Sequence, residues 1–219
     1  VGLRYTRDKL SGNGYADFVL PSGTVSPGGG AIAVPSFIPY SESSETFKKT
    51  TFKFVLDYAL TNDIFAYASF SRGFKGATYN VIPFNPVPSK PETLDAYEGG
   101  LKTELFNHML RVKVAGFYYE LKNPQVIIIP DSGAITTENA GAAEVKGGEI
   151  DLTLVPTRGL NIRAAATYLH ATYTDYKNAA IYSENPAFPF GNLPPVPGSA
   201  DGNRLPYAPK LSFNVGGDY

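Results

Sequence analysis

Period-two alternation is the feature that most limits what this chain can fold into. In "GGEIDLTLVP", Gly147 to Pro156, Glu149, Asp151 and Thr153 fall on one parity and Ile150, Leu152 and Leu154 on the other. Successive side chains of a strand point to opposite faces, so this segment reads as a strand with one dry face and one wet face. A chain built this way needs a dry place for half of every strand.

The pattern recurs. Val1, Leu3 and Tyr5 oppose Gly2, Arg4 and Thr6, and Phe52, Phe54, Leu56 and Tyr58 oppose Thr51, Lys53 and Asp57. The segment from Ile64 to Ser71 is strand-like, but its small residues leave its facing open. Tyr97, Gly99, Leu101, Thr103 and Leu105 oppose Glu98, Gly100, Lys102 and Glu104, and Leu110, Val112, Val114, Gly116 and Tyr118 oppose Arg111, Lys113 and Tyr119. Leu160, Ile162, Ala164, Ala166 and Tyr168 oppose Asn161, Arg163 and Thr167, and Leu211, Phe213, Val215 and Tyr219 oppose Ser212, Asn214 and Asp218. About eight strands result.

The connections alternate as well. "LTND" (Leu60–Asp63), "FNHM" (Phe106–Met109) and "PTRG" (Pro156–Gly159) are short enough for tight hairpins. Long connections are expected at about Lys9–Glu45, Phe74–Pro91, Pro130–Glu138 and Lys177–Asn203, all rich in Gly, Pro, Ser and Asn. Short turns at one end and long loops at the other describe an up-and-down antiparallel sheet. Outer-membrane barrels have this asymmetry.

Composition narrows the classes. The 219 residues suit one large β-domain or two small ones, and the 15 Tyr, 14 Phe, 22 Gly and 18 Pro favour an all-β chain. A net charge of -1 without a basic, aromatic-interleaved cluster gives nucleic acid no surface to bind. The absence of cysteine excludes a disulfide scaffold and a thiolate metal site. No apolar run approaches the ~18 residues of a membrane-spanning helix, and no signal-peptide pattern is visible. The sequence opens and closes within strand-like patterns, which predicts a piece of something longer.

Alternation alone leaves the dry side open. A secreted β-sandwich, such as a carbohydrate-binding or adhesive module, buries the apolar parity, whereas a transmembrane barrel turns it to lipid. Tyrosine spacing favours the barrel. Tyr118 lies eight residues after Leu110, Tyr168 eight after Leu160 and Tyr97 eight before Leu105. At ~3.4 Å per residue and a tilt of ~40°, eight residues climb roughly 21 Å, close to an apolar band of ~25 Å. Tyr58 and Phe106 mark the other rim. Gly and Ala on the dry face also suit lipid better than a packed core.

Several segments resemble the barrel domain of the TonB-dependent outer-membrane receptors. They are "YASFSRGFKGATYN", "KPETLDAYEGGLKTEL", "AGFYYELKNPQV" followed by "ENAGAAEVKGGEIDL", and "RLPYAPKLSFNVGGDY", in that order along nearly the whole chain. "GFKGATYN" is less Gly-rich than the family's stretch, and Gly99 stands where an apolar residue is usual. The resemblance implies an all-β, antiparallel, 22-stranded transmembrane barrel around an N-terminal plug. Residues 1–219 would then be a central third of that barrel, the plug and closing strands lying outside this sequence. It implies a transport receptor and not an enzyme: an importer of a scarce nutrient, most often a ferric siderophore. Such an importer sits in the outer membrane of a Gram-negative bacterium and is powered by TonB through the plug. A small autonomous outer-membrane barrel is the nearer alternative, and the sandwich the more distant one.

Chemical sites are sparse. His108 in a turn and His170 near a strand end lack a metal-ligand spacing, so no metal and no cofactor is expected. No Gly-x-Ser-x-Gly elbow supports a hydrolytic triad, and "PGGGA" lacks the Lys-Ser/Thr of a phosphate loop. The charged parity, notably Glu98, Lys102, Arg111, Glu149 and Asp151, is expected to face a wet lumen as salt-bridged wall. Binding is expected on the loops. "SRGFKGATYN" offers Arg72, Phe74, Lys75 and Tyr79; the longest loop offers Tyr15, Phe18, Phe37 and Tyr40; the last offers Tyr182, Phe188 and Phe190. Cations beside aromatics suit an anionic, partly apolar ligand such as a ferric siderophore.

Overall fold

The computed structural model describes residues 1–16, 38–80, 87–128, 136–186, 193 and 195–219, with the backbone alone at 14–16 and 38–41. Twelve strands are present among them: β1 (Gly2–Ala16), β2 (Ile38–Ala59), β3 (Ile64–Lys75), β4 (Glu92–Leu105), β5 (Leu110–Lys122), β6 (Gln125–Ile128), β7 (Thr136–Asn139), β8 (Ala142–Thr157), β9 (Leu160–Asp175), β10 (Ala179–Ile181), β11 (Val196–Gly198) and β12 (Leu211–Asp218). Eight of them form one antiparallel sheet in the order β1-β2-β3-β4-β5-β8-β9-β12, and β6-β7 and β10-β11 form separate two-stranded ribbons. The eight strands are those that alternation predicts. The sheet is not closed: β1 and β12 end it, each with a single partner. An autonomous eight-stranded barrel would pair these two edges.

Three connections differ from expectation; the last, expected at Lys177–Asn203, carries the ribbon β10-β11 and runs on to β12. The first was placed at Lys9–Glu45, but β1 runs on to Ala16 and β2 begins at Ile38, leaving 17–37 between them. Ser, Gly and Asn pair there as Ser11 with Ser44 and Gly12 with Ser43, so cross-strand backbone bonding overrides weak β-propensity. Between β5 and β8, the expected Pro130–Glu138 loop starts with the ribbon β6-β7, in which Val126 pairs with Glu138 and Ile128 with Thr136.

Register fixes the two faces. Tyr58 pairs with Ala66, Ala66 with Leu101, Leu101 with Val114, Val114 with Ile150, Ile150 with Ala166 and Ala166 with Phe213, giving an apolar row across seven strands. This row also settles β3, whose Ala66, Ala68 and Phe70 share the apolar face. Higher on that face, Phe54, Phe70, Tyr97 and Tyr118 are successive cross-strand partners. Phe70 stacks on Tyr97 at 4.6 Å between centroids, and Tyr97 lies 6.3 Å from Tyr118. The aromatic rim is thus a belt from β2 to β5; on β8 the row continues with Lys146, and Tyr168 of β9 lies one row lower, opposite Gly148. Lower down, Leu105, Leu110, Leu154 and Ile162 close the band.

No second layer covers this band among the described residues. Leu101 is 46%, Tyr168 56% and Phe213 76% exposed, and no large side chain is fully buried. A sandwich would bury these side chains, and that alternative fails here. The buried cluster is small and lies beyond the long-connection end of the sheet: Ala140, Tyr176, Ala179 and Ala200, with Val126, Tyr173 and Ile181 against them.

The polar face carries its own aromatic packing. Tyr67 pairs directly with Gly100, and Phe117 with Gly147. A Cβ on Gly100 would meet Tyr67 Cε1 at 2.6 Å and the Val114 carbonyl at 2.5 Å, whereas one on neighbouring Gly99 has nothing nearer than 3.7 Å. Gly100 therefore makes room for a ring lying across the sheet. In the full-length protein, Gly100→Ala is expected to cost about 1–3 kcal/mol through overpacking. Gly99→Ala, on the opposite face, should be neutral or slightly stabilising. Thermal melts of the two variants check this, and equal effects would contradict it.

Candidate functional site

The long-connection end of the polar face widens into an open basin of about 1290 Å³. Its floor comes from the tops of β4, β5 and β9 through Glu92, Leu121 and Tyr173, and its walls include Gln125 to Ile128, Tyr176, Tyr182 and Leu205 to Tyr207. The sequence builds this floor by a change along each strand. Low on the polar face stand charged residues, Lys102 opposite Lys113 and Lys113 opposite Asp151. Near the top the same parity carries Leu94 opposite Leu121 and Leu121 opposite Ala143, followed by Ala143 opposite Tyr173. The wall turns apolar where the basin begins.

Side-chain amides fix the first wall. Gln125 Nε2 donates to the Gly76 carbonyl at 2.7 Å, and the Gln125 backbone N–H donates to Glu92 Oε2 at 3.0 Å. Asn139 Nδ2 donates to the Lys90 carbonyl at 3.0 Å while its Oδ1 accepts from Lys90 N at 2.7 Å. Asn80 repeats the exchange with Thr137, at 3.0 and 2.6 Å. Each amide pairs with backbone as a strand would, so the β3–β4 connection and the β6-β7 ribbon hold together. Tyr176 ties this ribbon to the second wall: its hydroxyl donates to Glu138 Oε1 at 2.5 Å and its backbone N–H to Asp201 Oδ1 at 2.6 Å. Burial, together with the Glu138 carboxylate, pushes the Tyr176 phenol well above its ordinary range, so it remains a donor.

The sequence-predicted residues fall in different places. Tyr182 lines the basin. Tyr79 donates to Ser43 Oγ at 2.9 Å, tying the β3–β4 connection to β2. Lys75 is exposed at the end of β3, opposite Glu92, and Phe74 is half-buried beside it. Arg72 lies on the apolar parity one row above the aromatic belt, paired with Asp95. Its Nε and Nη2 donate to the two Asp95 oxygens at 2.5 and 2.6 Å, and its guanidinium stands 5.5 Å over the Phe52 ring. Tyr15 and Tyr40 belong to β1 and β2, while Phe18, Phe37, Phe188 and Phe190 lie outside the described residues. Glu98, Lys102, Arg111, Glu149 and Asp151 share the polar face by register. Glu98 accepts from the Tyr67 hydroxyl at 2.7 Å, Arg111 Nη2 reaches Glu104 at 2.7 Å, and Lys102 Nζ stands 5.0 Å from the Tyr67 ring centroid. That ring and Asp151 offset two lysines placed directly opposite each other, a pairing otherwise unfavourable. His108 contacts Glu104 within its turn. Among the described residues no cluster could hold a metal ion.

Tyr173, Tyr176 and Tyr207 were not singled out by sequence. Tyr173 continues the odd, polar parity of Asn161, Arg163 and Thr167 past the strand's expected end at Tyr168, a signal that a longer reading of the strand would have caught. Tyr207 sits in "RLPYAPK", where nothing marks it. Its backbone is left-handed, φ 57°, and its side chain is fully exposed at the basin edge.

The profile of the family described as TonB dependent receptor-like, beta-barrel matches residues 1–219, and the chain belongs to that family. Three solved structures share its fold. The ferric yersiniabactin uptake receptor FyuA from Yersinia pestis matches at TM-score 0.70 and 18% identity over 98% of this chain and 27% of its own. The siderophore receptor PiuA from Acinetobacter baumannii matches at 0.59 and 19%, over 98% and 28%. The ferric-catecholate import receptor Fiu from K12 E. coli matches at 0.56 and 19%, over 99% and 28%. The chain thus spans little more than a quarter of each. The family is one of transport receptors, with barrels in the Gram-negative outer membrane.

The Arg72–Asp95 pair generates a test of its own. Asp95 is 2% exposed, and its only other cation within reach is Lys122, at 3.7 Å among the described residues. Arg72→Ala leaves a nearly buried carboxylate short of donors and is expected to cost about 1–3 kcal/mol. Adding Asp95→Ala should recover part of that loss. A double-mutant cycle on the full-length receptor measures the coupling, and independent, additive effects would contradict the pairing.

Proposed function

We propose that this chain is part of an outer-membrane receptor that binds and imports a scarce nutrient, a ferric siderophore, with energy supplied through TonB. The observation that carries the reading is the two-sided wall. One face is an uncovered apolar band under an aromatic belt, and the other rises from charged wall to an aromatic basin at the long-connection end. The apolar face meets lipid of a Gram-negative outer membrane, and the polar face looks onto a hydrated lumen or a plug. Residues 1–219 supply roughly the central third of a 22-stranded barrel, and the plug and closing strands come from the rest of the protein.

In this reading Glu98, Lys102, Arg111, Glu149 and Asp151 face the lumen. Ligand contact is proposed for Arg72, Phe74, Lys75, Tyr79, Tyr182, Phe188 and Phe190, with unequal support. Tyr182 lines the basin, whereas Arg72 is engaged by Asp95 on the other face. Partners are the ligand, outer-membrane lipid and, through the plug, TonB. No catalytic step belongs to the chain.

The test is uptake of radiolabelled ferric chelates by iron-starved cells lacking the gene. Deleting either the receptor or TonB should abolish uptake of at least one chelate, and the intact gene should restore it. Wild-type uptake of every chelate by the deletion strain would contradict the proposal.

A further inference from the structure

The charge of the basin is more specific than its shape. Its lining includes one ionised side chain among the described residues, the carboxylate of Glu92, and no Lys, Arg or His. Cations are few in the long connections, where Lys90, Lys177, Arg204 and Lys210 stand near the strand ends. Residues 10–45, 76–89, 123–145 and 178–203 contain no Lys, Arg or His, while Asp17, Glu42, Asp131, Glu138, Glu184 and Asp201 are among their acids. None of the cations that flank these stretches lines the basin, and Lys90, beside Gln125, meets it through its backbone carbonyl. Lys75 stands opposite Glu92, Lys177 Nζ lies 3.9 Å from Asp175, and Arg204 donates to the Ala208 carbonyl at 2.5 Å.

Against that field the basin presents rings. Tyr173 and Tyr176 stand 5.2 Å apart within it, and Ile127 and Tyr207 are exposed at its edge, 72% and fully. A left-handed backbone at a non-glycine residue is costly, and such strain collects at ligand clamps. Tyr207 holds its ring free beside the cavity from such a backbone. Tyrosine faces and carboxylates attract neutral or positively charged ring systems and repel anions, both on approach and in contact.

We infer that this basin takes a ring-bearing small molecule carrying no net negative charge. The inference rests on the reading of the basin as the ligand site and narrows it: the described lining of the basin supplies no cation to clamp an anionic chelate.

Calorimetric titration of the full-length receptor with three ring-bearing probes tests it: neutral ferric tris(benzohydroxamate), trianionic ferric tris(catecholate) and neutral, iron-free cyanocobalamin. A neutral probe should bind at least about tenfold more tightly than the trianion, a margin within reach of field-driven discrimination. Tyr207→Ala should weaken that binding about fivefold, the scale of one aromatic contact, while Tyr207→Phe should preserve it. Ile127→Lys should raise affinity for the trianion. Binding of cyanocobalamin without either ferric chelate would sink the siderophore reading and leave the charge inference standing. Equal or tighter binding of the trianion by the unaltered receptor, or no binding of any probe, would overturn the inference.

Discussion

An antiparallel sheet that leaves one apolar face uncovered cannot rest in water, and the remainder of this structure follows from that constraint. Each exposed Leu, Val, Ile or Phe forgoes roughly 1.5–3 kcal/mol of burial, and the band presents such side chains across seven paired strands. Within the sheet, backbone donors and acceptors satisfy one another along the ladders, so hydrocarbon can surround the face without unpaired polar groups. The aromatic belt and the row above it mark where that medium ends. Arg72, Asp95, Glu120 and Glu144 follow Phe70, Tyr97 and Tyr118 on the same parity, a change from rings to charges within one row.

The opposite face answers different demands along its height. Charged pairs and tyrosine–carboxylate bonds occupy the lower wall, where water can reach them. Gly100 and Gly147 let Tyr67 and Phe117 lie flat across the ladder, which keeps the wall thin. Above them the parity turns apolar, and the two small ribbons gather into the chain's only buried cluster among the described residues. Order at the loop end comes from this small cluster together with amides bonded to backbone and the Tyr176 hydroxyl. The basin is thus built on segments whose tertiary support is largely polar.

Alternation made the eight sheet strands, the short turns and the division into an apolar and a polar parity legible, because period two is a local property that sequence displays directly; which parity faces outward came from tyrosine spacing and motif order. Motif order added the family. What escaped depends on pairing between distant segments. Ser11 and Gly12 have poor strand propensity and are held by Ser44 and Ser43; Thr136 to Asn139 become a strand only because Gln125 to Ile128 lie beside them. Arg72 looked like a loop cation available to ligand, but its partner Asp95 is a residue whose alternating context gave no hint of burial. The basin was half legible: Tyr182 was named from composition and Tyr173 lay within reach of a longer strand reading, whereas Tyr207 enters it only through tertiary geometry.

The central claim is that even-numbered residues of β8 face hydrocarbon and odd-numbered ones face water. Nitroxide labels placed singly from Gly148 to Thr153 in the full-length receptor, in outer-membrane vesicles, test it most directly. Accessibility to oxygen should peak at positions 148, 150 and 152, and accessibility to a water-soluble nickel chelate at 149, 151 and 153. A label at Leu152 shielded from both reagents, or an alternation of the reverse phase, would contradict the account.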